Sequence, residues 1–99
     1  MTRGTTPTLE FTLPFEAECI AEVSIAFSQQ DQLVLDKSLA DCTVEEYKLL
    51  LRLSQEDTLA LEEDVVTEIQ LRLRTVSGDA LASGIVPVAT QRILKDGVI

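Results

Sequence analysis

Spaced by its apolar side chains, the chain is a run of short alternations. Thr8–Leu13 (TLEFTL) puts Leu9, Phe11 and Leu13 on one face, the two-residue period of a half-buried strand. Pro14 then removes a backbone donor and ends the ladder. Cys19–Phe27 repeats the pattern, with Ala21, Val23, Ile25 and Phe27 expected inward and Glu22 and Ser24 outward. After the polar turn SQQDQ, Leu33–Lys37 continues with Leu33 and Leu35 on one face, so the two segments predict a β-hairpin.

The stretch Thr43–Leu61 (TVEEYKLLLRLSQEDTLAL) carries two competing signals. Thr43 followed by Glu46 matches a helical capping box, and leucine favours helix. A continuous helix, however, would spread Leu49, Leu50, Leu51 and Leu53 around much of its circumference, more than so small a chain can cover. Strand alternation instead groups Tyr47, Leu49, Leu51 and Leu53 opposite Lys48 and Arg52, with only Leu50 out of phase. Ser54, with Asp57 three residues on, is a fresh N-cap signal. The segment is therefore predicted to be a strand over Tyr47–Leu53 and a helical turn near Gln55–Leu59.

Val65–Thr75 (VVTEIQLRLRT) is the cleanest strand. Thr67, Ile69, Leu71 and Leu73 face inward, and Glu68, Gln70, Arg72 and Arg74 face water. VSGDA supplies a turn, and LASGIVPV returns as a strand with Gly84 marking a bulge or kink and Pro87 placing it on an edge. The end, ATQRILKDGVI, has no clear period; a short last strand and a frayed tail both fit. Six or seven short strands and one helical turn predict an all-β antiparallel sandwich of immunoglobulin or fibronectin-like build, without the Cys…Trp…Cys spacing of a true immunoglobulin domain. Residues 1–6 are expected as a flexible arm, 7–94 as the single domain and 95–99 as a tail.

Composition narrows the core and the partners. With 99 residues, 45% hydrophobic, the chain can fill one two-layer core, and with only Phe11, Phe15, Phe27 and Tyr47 as aromatics that core is aliphatic. The formal charge is −9. The acidic excess is concentrated between Glu10 and Asp64, and such a surface repels phosphate backbones and anionic lipid. Neither nucleic acid nor membrane is an expected partner. No apolar run reaches transmembrane length and the N-terminus has no signal-peptide core, which places the protein in the cytoplasm when made. Cys19 and Cys42 are too far apart in sequence for a CxxC motif. Free thiols beside apolar neighbours are the expectation, with a cross-strand disulfide left open.

Little chemistry is encoded. Histidine is absent, which removes Ser-His-Asp and Cys-His catalysis and the usual zinc sets, and the four glycines form no phosphate loop. Glu62, Glu63 and Asp64 form one acidic run that could supply a carboxylate pair or weak calcium ligands, but without EF-hand spacing it reads first as a solvated loop. Arg72 and Arg74 on an outward strand face suit ion pairs with Glu10, Glu22 or Glu68, or a partner-binding stripe. No catalytic residue, metal ligand or cofactor site is predicted. Arg72, Arg74, Glu62, Glu63 and Asp64 are the candidates for an interaction surface.

PTLEFTLPF near the start, ADCTV, LSQEDTLAL and EIQLRLRTVSGDALASGIVPV together resemble a group of small proteins from prophages and tailed phages of Firmicutes, encoded among virion structural genes. The likeness runs from Pro7 to about Leu94. It implies association with the virion or its assembly and supplies no catalytic residues. In such relatives the stretch matching Val44–Leu53 is a turn followed by an alternating strand, and here Glu45, Glu46 and Tyr47 occupy that turn. The expected function is thus a non-enzymatic domain acting through contact with a protein partner or with itself. The alternatives are a ligand- or carbohydrate-binding module, and an acidic decoy for the groove of a nucleic-acid-binding protein.

Overall fold

The structure, a computed structural model, describes residues 1–99. It is all-β, with eight strands in two antiparallel sheets. The strands are β1 (Thr8–Thr12), β2 (Ile20–Gln29), β3 (Gln32–Ser38), β4 (Cys42–Glu45), β5 (Lys48–Arg52), β6 (Thr67–Thr75), β7 (Ala80–Ala82) and β8 (Val86–Val88). One helical turn, α1 (Gln55–Leu59), follows β5, and 3-10 turns precede β2 and β4. The smaller sheet has the order β1-β5-β4. The larger has β3-β2-β6, with β7 and β8 sharing the far side of β6. The thinnest dimension, 17 Å, is that of two packed layers.

Connectivity follows from turn length. Gln30 and Asp31 both have positive φ (51° and 63°), the two-residue turn that keeps β2 and β3 neighbours in one sheet. In the immunoglobulin constant arrangement the second strand joins the first, fourth and fifth. Here it lies between the third and the sixth. The chain changes layer through the 3-10 turn Leu39–Asp41, where Ser38 and Asp41 cap each other reciprocally.

The inner faces meet over Val23, Ile25, Phe27, Leu49, Leu51, Leu53, Ile69, Leu71 and Leu73, all buried. The segment Thr43–Leu61 is strand, then helix. Leu49, Leu51 and Leu53 are fully buried, and α1 begins at a Ser54–Asp57 capping box, as the fresh N-cap signal predicts. Thr43–Glu45 belongs to a strand that the alternation did not separate, and Glu46, with φ 42°, turns the chain into β5. Tyr47, expected inward, sits at that turn beyond the sheet and is exposed.

Two bulges change the faces that simple alternation assigns. Ile20 pairs with Thr75 and Glu22 with Arg74, so Ala21 is an extra residue; Ile20 is buried and Ala21, expected inward, is exposed. Likewise Phe27 pairs with Leu35 and Ser28 with Leu33. Val34 is therefore the extra residue, and Leu33 points away from Leu35 into solvent. β6 has no such interruption, and Thr67, Ile69, Leu71 and Leu73 are buried as predicted. The stretch read as one strand, LASGIVPV, is split at Ser83–Ile85 into β7 and β8, which with β4 raises the strand count to eight.

Gln29 belongs to the core rather than to the polar turn. Its side-chain amide donates to the Glu62 carbonyl (3.0 Å) and the Thr67 hydroxyl (3.1 Å), and its carbonyl accepts from the Glu62 N–H (2.8 Å). The Thr67 hydroxyl in turn meets that of Thr90 (2.7 Å). Gln29→Leu would leave the Glu62 backbone without partners. A loss of about 2 kcal/mol in urea denaturation is expected, with faster exchange of the Glu62 amide. An unchanged Glu62 exchange rate would count against the network.

The first residues are not an arm apart from the domain. Arg3 donates from Nε to the Leu61 carbonyl (2.8 Å) and from Nη2 to the Leu59 carbonyl (3.0 Å), satisfying acceptors left over at the end of α1. The Arg3 N–H donates to the Gln91 carbonyl, and Thr2 and Gln91 form a parallel bridge. Gly4, with φ 74°, makes this approach possible, since a Cβ there would stand 3.1 Å from Ile93 Cδ1. The tail forms no strand; Ile99 exchanges two backbone hydrogen bonds with the Gln55 amide, and Asp96 pairs with Arg3.

Candidate interaction surface

The uninterrupted alternation of β6 carries Arg72 and Arg74 onto the outer face of the larger sheet. Across one side of β6 they stand opposite Ser24 and Glu22, and across the other opposite Ala82 and Ala80. Alanine ends at Cβ, and an open groove of about 520 Å³ crosses β2, β6 and β7 on this face, lined by Glu22, Ser24, Arg72, Arg74, Ala80 and Ala82. Arg74 pairs with Glu22 (3.2 Å). Arg72 makes no ion pair, and Glu10, in the other sheet, is taken by Lys48 (3.0 Å).

The edge beside this groove is apolar and uncovered. Leu81, Ile85 and Val86 are 46%, 58% and 55% exposed. Leu81 pairs with Leu73 and Val86 with Ile69, both buried, so these two side chains lie on the inner face of the sheet. They are exposed because the three-stranded sheet opposite does not extend over them. Strict alternation through LASGIVPV would put Leu81 and Val86, five residues apart, on opposite faces; the break at Ser83–Ile85 is what brings both inward. The signal for their exposure is the uncharged run Ala80–Val88, interrupted by Gly84 and Pro87.

The acidic run lies elsewhere. Glu62 is anchored through its backbone by Gln29, and Asp64, with φ 60°, donates its N–H to the Thr90 carbonyl (2.9 Å). Glu62, Glu63 and Asp64 are exposed just before β6 begins, whereas Arg72 and Arg74 sit near its end, about 20 Å further along at strand rise. The structure does not bring the two candidate groups together. No group of three or more Asp, Glu, Cys or His converges as metal ligands.

A second charged feature escaped the pattern. Glu16, Glu18 and Glu46 meet around Tyr47 and Val44 at the β4–β5 turn. A hydrogen bond with Glu18, followed by the Glu18 charge, raises the Glu16 pKa above the ordinary value. Sequence separation hides this pole, because the 3-10 turn before β2 reaches the hairpin only after folding: the Ala17 N–H donates to the Glu46 carbonyl. Cys19 and Cys42 are free and half-buried. Burial, then the Asp41 charge, pushes the Cys42 thiol up, away from the reactive thiolate.

No family model, no curated protein and no solved structure matches the chain. No helix is long and apolar enough to cross a membrane.

Proposed function

We propose that this domain is non-enzymatic and works by holding another protein against the β7–β8 edge, as a component of a tailed-phage particle or of its assembly. The observation that carries this reading is the apolar β7–β8 border, where Leu81 and Val86 stand about half exposed on the inner face and Ile85 at the break between the two strands. Isolated exposed aliphatics are ordinary on a protein surface, but Leu81 and Val86 uncovered on one inner face, beside the free edge of β7, have the character of a contact site. The resemblance carried by PTLEFTLPF and EIQLRLRTVSGDALASGIVPV supports the virion setting. The groove is lined by Glu22, Arg72 and Arg74 and by no aromatic side chain, which favours a protein over a sugar.

A photo-reactive residue at Ala82 should cross-link to a structural protein in purified particles or assembly intermediates. One placed at Arg52, on the outer face of the other sheet, should not. Absence of the protein from both preparations would reject the reading.

A further inference from the structure

We infer that the free side of β7 is completed by one added antiparallel strand from its partner, and that this strand is aliphatic toward the sandwich and acidic on its outer face. The inference rests on the proposed contact at this edge and specifies how that contact is made.

The backbone sets the register. The Thr75 N–H donates to the Asp79 carbonyl (2.9 Å) and the Ser83 N–H to the Leu71 carbonyl (2.8 Å). Antiparallel ladders alternate bonded and non-bonded pairs, so Leu73 and Leu81 form the bonded pair between these two. The N–H and C=O groups of Leu81 therefore face β6, and those of Ala80 and Ala82 face outward. Two residues at this spacing offer two donors and two acceptors, the pattern that strand addition uses. The same alternation along β6 makes Ile69–Val86 and Thr67–Val88 the bonded pairs, and turns Pro87 outward, where it has no donor to offer. The open edge is thus confined to β7, and the added strand is short.

Side chains set the chemistry. On the inner face, Leu81 is 46% exposed with its backbone already engaged, so an aliphatic side chain beside it would remove both from water. On the outer face, Ala80 and Ala82 separate the edge from Arg74 and Arg72. The added strand would lie about 10 Å from β6, two strand spacings away. Only a small side chain lies between, so a glutamate on the new strand can reach over each alanine to a guanidinium. Arg72 has no carboxylate of its own, and a second copy of this chain joined β7 to β7 would bring alanines rather than acids to that position. The net charge of −9 opposes an acidic partner at long range, but salt screens that repulsion beyond about 8–10 Å. The local pairing decides.

The test is amide-resolved NMR titration of the full chain with a blocked seven-residue peptide alternating glutamate and valine, and with its lysine-for-glutamate counterpart. Saturable shifts and slowed amide exchange at Ala80 and Ala82 are expected with the glutamate peptide. Binding about tenfold weaker is expected with the lysine peptide, and with Arg72→Glu/Arg74→Glu against the glutamate peptide. Ala82→Pro, which removes an outward donor, should abolish the exchange protection while Val23, Ile25 and Leu71 keep their native shifts. Absence of any perturbation at Ala80–Ala82, equal binding of both peptides, or a sedimentation mass showing a dimer closed through β7 would overturn the inference. Cross-linking at Ala82 without peptide binding would reject strand addition and keep the contact; failure of both would reject both.

Discussion

Phe27→Ala is expected to destabilise the domain by about 3–5 kcal/mol, and Leu33→Ala by less than about 0.5 kcal/mol. Phe27 is fully buried in the central strand of the larger sheet, opposite Ile69 on one side and Leu35 on the other. Its ring is the largest fully buried side chain, in a core otherwise built from aliphatics. Removing it deletes apolar burial and leaves a cavity that two sheets pinned by ladders on both sides of β2 cannot close. A domain of this size holds about 5–15 kcal/mol in total, so the variant should be near the limit of folding at 37 °C. Leu33, six residues on in the same hairpin, is 65% exposed because the bulge at Val34 turns it outward. Urea denaturation of both variants checks the pair. A Leu33→Ala loss comparable to that of Phe27→Ala would mean that β3 pairs without its bulge.

Asp57→Ala is expected to cost about 2–3 kcal/mol, which for a chain of this length lowers Tm by roughly 10–20 °C. Asp57 is the hinge between α1 and the larger sheet. Its Oδ2 accepts the Ser54 N–H (3.0 Å), while its own N–H donates to the Ser54 hydroxyl (3.1 Å), closing the capping box. Its Oδ1 receives Lys37 Nζ at 2.9 Å, with both side chains mostly out of water. Lys37 pairs with the buried Ile25, so it projects inward from β3 and the ion pair spans from sheet to helix. The alanine variant therefore loses a cap and strands a lysine charge in partly desolvated space. Burial pushes the Asp57 pKa up, but the Ser54 backbone donor, Lys37 and the Ser54 hydroxyl outweigh it and hold the group below the ordinary 3.8. A folded-state pKa below the unfolded one gives stability that is complete above the unfolded value and is lost as pH falls through the folded one. The difference between wild type and Asp57→Asn should hence be constant near neutrality and shrink below about pH 4. A gap that persists undiminished to pH 2 would assign the effect to shape rather than charge.

Elements that depend only on near neighbours along the chain are legible in the sequence. β6 needs only its own period, and α1 only the Ser54–Asp57 spacing, and both stand where those signals put them. Positions that depend on a ladder partner are not legible in this way. Ala21 and Ile20 exchange faces at a bulge set by how β2 docks on β6, and Leu33 and Leu35 part at one set by β3. Gln29 reads as a turn residue because its polarity is satisfied by Glu62 and Thr67, distant in sequence. The arginine half of the candidate surface is visible in the alternation of β6, and the apolar edge beside it is not.

Period-two spacing of aliphatics, a local helix cap and the absence of a helix-length apolar stripe determined an all-β chain with the outward face of β6 in its present form. Alternation defines two faces for every strand, but it carries no information about what lies across from each. Whether Leu81 and Val86 are core or surface depends on the width of the opposing sheet, and that width is set by the layer change after β3, which leaves β1, β4 and β5 alone on the other side. Tertiary structure alone decided which edge stays open.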